Sequence, residues 1–260
     1  MRYPSRIVCL TEETTEILYL LGEGDRVVGV SGYTVRPPEA RRKPKVSAFI
    51  SAKLDKIEAL RPDLILAFSD LQADIAAELI RRGANVVTFN QRSIAEIFQT
   101  ILMLAGLVGR EAEGQRLVRE LETGLDGIRE SAARLGKRPR VFFEEWDDPL
   151  ISGIQWVEEL VELAGGEPIF PELRSCRLGR DRIVNSEVVV ARDPEVIVAS
   201  WCGKAVRRAA ITGRPGWDRV SAVRAGHVYE IKSAYILQPG PAALTEGVAQ
   251  LHALMIRSAT

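Results

Sequence analysis

An internal echo restricts the architecture of this 260-residue chain more than any other feature of its sequence. Asp55–Phe68 and Glu187–Ser200 each run from helix-period residues through a proline-acid pair, Pro62-Asp63 and Pro194-Glu195, into a short apolar strand. Each carries an acid, Asp55 or Glu187, seven residues before its proline. Proline cannot continue a helix, and an unbroken apolar run beyond it reads as a strand buried on both faces. Two such units at identical spacing imply two similar α/β lobes.

The rest of the chain fits around them. Arg6–Leu10, Val27–Val30, Leu64–Phe68 and Val86–Phe89 read as strands, alternating with helices such as Thr14–Leu21 and Leu71–Arg82, which stop at Gly22 and Gly83. From Ser93 almost to Gly136 the apolar residues keep a helical period, broken only at Gly109-Arg110-Glu111. The second of these helices, Glu111–Leu135, is expected to be roughly 37 Å long at 1.5 Å per residue. Alternation resumes with strands at Arg140–Glu144, Val196–Ser200 and Val228–Ile231, and helices at Gln155–Ala164 and Ala243–Ile256. The expected organisation is an N-terminal lobe over 1–108, a bridging helix over 109–137 and a C-terminal lobe over 138–260.

Composition removes several classes of function. Thirty-five basic residues balance 35 acidic ones, leaving no field for a polyanion, so nucleic acid is not an expected partner. No apolar run reaches the roughly 18 residues of a membrane span. Cys9, Cys176 and Cys202 form no CxxC pair and no disulfide framework. The strand-like Ile7–Leu10 begins too early to leave room for a signal peptide, so the chain as written is expected in the cytoplasm. Had a leader been removed, the expectation is the periplasm or cell surface.

Catalytic constellations are scarce. His227 and His252 are the only histidines, and neither sits in a nucleophile or metal-ligand motif. Gly22-Glu23-Gly24 is a helix-to-strand turn, because its third glycine is misplaced for a dinucleotide loop and a strand follows. Glu144, Glu145, Asp147 and Asp148 around Trp146 offer three readings: an acid-base pair of an enzyme, a plain acidic loop, or the polar rim of a ligand site. Aromatic side chains gather where strands end. Tyr33, Phe49, Phe68, Phe89, Trp146, Trp201 and Tyr235 each end or follow a strand or lie in a turn. Open α/β sheets bind ligands at the carboxyl ends of their strands, so the set suits a large, flat, partly apolar ligand.

Several segments, taken in order, resemble one family. They are Arg6–Leu10 with Thr15-Glu16-Ile17; Val28–Tyr33 with Pro37-Pro38; Leu60–Ile65; Ser152-Gly153 with Leu163–Gly166; and Asp193–Ile197. Together they resemble the class III, helical-backbone substrate-binding proteins of ABC importers for cobalamin, iron-siderophores and haem, over nearly the whole chain. The resemblance implies two Rossmann-like α/β lobes joined by a single long interlobe helix, a ligand cleft between them, no enzymatic activity and no required cofactor. It is nearest to cobalamin-binding members, which implies a corrinoid ligand, cobalamin or a precursor. By position it assigns ligand contact to Tyr33, Phe49 and Phe68 in the first lobe and Trp146 and Tyr235 in the second, and Ser200–Gly203 with Trp201 resembles a cobalamin-binder loop. It also implies docking of Asp55 and Glu187 onto arginines of an importer's membrane subunits.

Other readings stay open beside it. The basic stretch Arg177–Arg182 leaves room for an anionic ligand, since guanidinium groups match carboxylate or phosphate. Cys202 and His227 are weak candidates for a cobalt or iron ligand. The alternatives to corrinoid delivery are a ferric siderophore or haem binder, a cytosolic corrinoid carrier or sensor without an importer, and a cytosolic enzyme using Glu144–Asp148.

Overall fold

A computed structural model describes residues 3–259. The chain divides into two compact units, one formed by the chain up to Gln91 with Ala95–Glu120, the other by Arg92–Ile94 with the chain from Leu121 onward.

The N-terminal unit contains β1 (Ile7–Cys9), α1 (Glu12–Leu20), β2 (Val27–Ser31), β3 (Lys45–Ala48), β4 (Ser51–Ala52), α2 (Leu54–Ala59), β5 (Leu64–Phe68), α3 (Ala73–Arg81), β6 (Val86–Phe89) and α4 (Ile94–Val108). Its six-stranded sheet has the order β4-β3-β2-β1-β5-β6, parallel except for β4. Val8, Ile65 and Ala67 of the central strands pack with Leu10, Val46, Ile57 and Leu79 into its core. Gly22 and Gly83 stop α1 and α3 in the left-handed region, at φ +79° and +85°, where a β-carbon is disfavoured.

Helix α5 (Glu111–Ala132) follows α4 across the turn at Gly109, and its first half belongs to the N-terminal unit, the rest to the C-terminal one. It ends three residues before the expected Leu135. The C-terminal unit continues with β7 (Arg140–Asp147), β8 (Leu150–Ser152), α6 (Gln155–Leu163), β9 (Glu167–Pro168), α7 (Ser186–Arg192), β10 (Val196–Ala199), α8 (Arg208–Thr212), α9 (Ser221–Ala225), β11 (Val228–Glu230), α10 (Ser233–Ile236) and α11 (Val248–Ala259). Its strands run β11-β10-β7-β8, with β9 also pairing to β7. Phe142, Phe170 and Trp217 form an edge-to-face aromatic core, with centroids 5.8 and 6.2 Å apart. The last helix departs from the expected Ala243–Ile256: Ala243–Gly247 is a π-helical turn, and regular α-helix begins at Val248.

The echo in the sequence is an echo in the fold. In each unit the opening strand, β1 or β7, lies beside the strand that follows the proline, β5 or β10, and that strand in turn pairs with the last, β6 or β11. The register repeats as well: Ile7 faces Leu64, and Val141 faces Val196, each pair being one residue past an arginine and two past a proline. The same lock holds both turns. The residue before each proline, Arg61 or Asp193, takes a left-handed φ of 47° or 44°. That conformation costs a residue with a β-carbon roughly 1–2 kcal/mol. Arg6 donates from Nε to Arg61 O at 3.1 Å and Arg140 from Nη2 to Asp193 O at 2.7 Å, holding those carbonyls in place. The acid after each proline returns the bond, Asp63 accepting the Arg6 N–H at 2.8 Å and Glu195 the Arg140 N–H at 3.0 Å.

Candidate functional site

Because each sheet is mainly parallel, its parallel strands end on one edge, where side chains from several loops converge. In the N-terminal unit that edge carries Leu10–Glu13, Tyr33–Arg36, Phe49-Ile50, Ser69–Gln72 and Asn90-Gln91; in the C-terminal unit it carries Trp146–Asp148, Ser200–Lys204 and Ile231–Tyr235. All six proposed ligand aromatics lie on these edges, but they are not equivalent. Tyr33 is 46% exposed, Phe49, Trp146 and Tyr235 are half-buried, and Phe68 and Trp201 are buried.

Trp201 therefore needs a correction. It belongs to the core of its unit, where its indole donates to Glu144 Oε1 at 3.0 Å. Sequence placed it on a loop after a strand, and tertiary packing turned its ring inward. Phe68, the last residue of β5 and 3% exposed, is likewise wall rather than contact surface. Beside it Gln72, fully buried, accepts the Phe68 N–H at 3.0 Å and donates to Phe49 O at 2.9 Å. This one amide fixes the ends of β3 and β5 together. Nothing in the local pattern marked it, since a glutamine at a helix start is ordinarily solvated.

The acids around Trp146 do not form a catalytic pair. Glu144 is wholly buried and takes both guanidinium arms of Arg214, at 2.6 and 2.9 Å. Burial lifts its carboxyl above the usual range, against the opposing pull of Arg214 and Trp201. Glu145 accepts both arms of Arg182, at 2.7 and 3.0 Å, and Asp147 pairs with Lys204. Each of these carboxylates is spoken for by a cation, as charges removed from water must be. The same contacts overturn the basic stretch as an anion site at Arg182, whose side chain is 1% exposed and also donates to Ser152 O. Lys204 instead stands 4.1 Å from the centroid of the Trp146 ring and 4.9 Å from that of Trp201. With the Trp146 indole donating to Asp148 O at 2.9 Å, that ring is held at one face and one edge.

Neither weak metal candidate gains support from its surroundings. His227 precedes β11, at the sheet end opposite the ligand edge, where its ring stacks on Tyr229. Cys202 is half-buried just beyond β10. Among the described residues no three His, Cys, Asp or Glu side chains are grouped to hold a metal ion. His252 is structural, its ring nitrogens 2.8 Å from Ala164 O and from Ser131 Oγ.

Asp55 and Glu187 occupy matching places, each the second residue of its helix, α2 or α7, and each exposed. Arg82 lies 3.1 Å from Asp55 and also holds Glu58 and Glu78. Asn185 caps the Glu187 turn by accepting the Glu187 N–H at 3.1 Å.

Sequence reasoning missed the most unusual feature of the N-terminal edge. Glu12 and Glu13 open α1 directly after β1 and are buried, at 6% and 1% exposed. Ser31 Oγ donates to Glu12 at 2.7 Å and itself accepts the Tyr33 N–H at 3.1 Å, so the acid anchors the Tyr33 turn. Thr11 donates to Glu13 at 2.5 Å. Burial, with Glu12 close by, pushes Glu13 up to about 8.

The two mainly parallel sheets thus repeat one topology and carry aromatic and polar side chains at their carboxyl edges, where open α/β sheets take ligands, while Glu144, Glu145 and Asp147 around Trp146 are held by structural cations. Residues 7–235 match the model of the periplasmic binding protein family, and the chain belongs to it, as a non-enzymatic substrate-binding protein of the ABC transporter type. It is 30% identical over 257 residues to an uncharacterized ABC transporter substrate-binding lipoprotein, YvrC, of Bacillus subtilis (strain 168), covering 95% of this chain and 79% of that one. It is 27% identical over 246 residues to a vitamin B12-binding protein of Vibrio parahaemolyticus, covering 92% and 85%. The solved periplasmic vitamin B12 binding protein BtuF of Vibrio cholerae superposes with a TM-score of 0.77 at 26% identity, over 98% of each chain. The periplasmic heme-binding protein RhuT of Roseiflexus sp. RS-1 shares the fold, with a TM-score of 0.86 at 23% identity over 98% and 99%.

Proposed function

We propose that this substrate-binding protein takes a corrinoid, cobalamin or a precursor, at the carboxyl edges of its sheets. One observation carries the reading. Four large apolar side chains stand exposed on loops of the N-terminal edge: Tyr33 at 46%, Val35 at 40%, Ile50 at 72% and Leu71 at 50%. Apolar side chains exposed at the sheet edge where ligands bind suit an apolar partner. A corrin macrocycle offers a broad, flat face to match it, and vitamin B12-binding relatives over more than nine-tenths of the chain support the choice. On the C-terminal edge, Trp146 and Tyr235 supply aromatic contact, with Lys204 holding Trp146 in place.

The test is a titration with cyanocobalamin, with its lower-ligand-free precursor and with haem, following tryptophan quenching and the corrin or Soret bands. The expected result is saturable corrinoid binding at micromolar or lower Kd, weakened at least tenfold by Tyr33→Ala or Trp146→Ala. Haem binding tighter than either corrinoid, or no corrinoid binding, refutes the assignment. Delivery to the membrane subunits of an importer runs through Asp55 and Glu187 in this reading. Asp55→Lys with Glu187→Lys is then expected to abolish association with those subunits while leaving ligand affinity unchanged.

A further inference from the structure

Two other buried carboxylates, Glu16 and Glu144, have cations: Arg36 lies 2.8 Å from Glu16, and Arg214 clasps Glu144. Glu12 and Glu13 do not. Each spends one oxygen on a neighbouring hydroxyl, and in each the second oxygen, Oε2, is buried without any hydrogen-bond partner. The charged groups that act on Glu13 are Glu12 and Glu16, both acidic. A third orphan sits in the turn that Glu12 anchors: Thr34, 3% exposed, whose N–H reaches Ser31 O at 3.1 Å while its hydroxyl has no partner. Unsatisfied buried polar atoms are costly and uncommon, and three of them on the ligand edge, two in the segments joined by the Glu12–Ser31 bond, suit donors that come from outside the chain.

We infer that Glu12 and Glu13, with Thr34, form a subsite that accepts N–H or O–H donors from the periphery of the ligand and repels carboxylates. The inference rests on the corrinoid reading and adds the criterion of choice. Cobinamide-type corrins carry neutral amide arms with N–H donors, whereas a hydrolysed corrin or a haem carries carboxylates. A free carboxylate oxygen accepts an amide donor directly. A ligand carboxylate brought to the same place finds two acids, no paired cation to receive it and little water to solvate it. Specificity here comes as much from what is rejected as from what is bound.

The experiment compares two corrins of the same macrocycle, dicyanocobinamide with its amide arms and cobyrinic acid with carboxylates in their place, titrated against wild-type protein at pH 8 by corrin absorbance. The wild type is expected to bind the amide corrin at least tenfold more tightly. Glu12→Gln and Glu13→Gln, which keep the size of each side chain, are expected together to bring the ratio below about threefold. Equal wild-type affinities for the two corrins overturn the subsite while leaving the corrinoid reading intact, and this comparison requires no variant to fold. A ratio unchanged in a folded double variant also overturns it. Failure of both corrins to bind overturns the corrinoid reading and the subsite with it.

Discussion

Replacing Arg214 with methionine removes the cation that neutralises Glu144 inside the C-terminal unit. The Glu144 side chain is 0% exposed, and that of Arg214 only 16%. Two charge-assisted bonds, at 2.6 and 2.9 Å, vanish, leaving Trp201 Nε1 at 3.0 Å as the remaining side-chain donor to that carboxylate. Stranding one partner of a buried pair costs about 3–5 kcal/mol. In a chain of this size that lowers Tm by roughly 10 °C. Tryptophan fluorescence is the assay of choice, because Trp146, Trp156, Trp201 and Trp217 are the only tryptophans and all belong to the C-terminal unit. Glu144→Gln on the Arg214→Met background removes the stranded charge, so the double variant should be more stable than Arg214→Met alone. The pH dependence has a definite sign. Without Arg214 the folded-state pKa of Glu144 rises further above its unfolded value. The variant therefore loses stability as pH rises from the ordinary carboxylate pKa of about 4.3, and its deficit is larger at pH 8 than at pH 5. A deficit under about 1 kcal/mol at pH 8, or purely additive effects in the double variant, would refute the argument.

Glu158, 3% exposed with its Oε2 unpartnered, is pushed up to about 8 by burial against the pull of Arg174 and Arg182. A raised folded-state pKa stabilises below the unfolded value and is lost as pH rises towards 8, at up to about 1.4 kcal/mol per pH unit. Glu158→Gln should flatten that slope in tryptophan-detected urea unfolding and stabilise the unit at pH 8; an unchanged slope would count against it. For the repeated lock, Asp63→Ala and Glu195→Ala should each cost about 1–3 kcal/mol by deleting a charged acceptor. Hydrogen exchange at the Arg6 and Arg140 amides gives the check, and undiminished protection in the variants would show that the lock is not what holds the opening strands.

The two-unit architecture was legible because its signals are local. Proline, acid and apolar run recur within fourteen residues in each half, and Gly22, Gly83 and Gly109 mark helix ends by a conformation that side chains disfavour. The carboxyl edge of each sheet, and the aromatics on it, follow from strand direction alone. Four strands escaped notice, β3, β4, β8 and β9, because segments of two to four residues become strands only by pairing with neighbours that are already in place.

Side-chain direction and charge partnership were decided elsewhere. Trp201 turns inward because Glu144 waits 57 residues away, Glu144 is neutralised from 70 residues away, and Arg182 meets Glu145 across 37. A loop of acids and a stretch of arginines look available in sequence because pairing across such distances leaves no periodic trace. The buried acids of α1 show the same division: the sequence pattern starts this helix at Thr14 and leaves Glu12 and Glu13 between strand and helix, whereas the folded helix begins at Glu12, where the helix dipole favours acids. Only the folded chain removes them from water and leaves an oxygen of each without a partner, since burial depends on what packs around a residue and not on what precedes it.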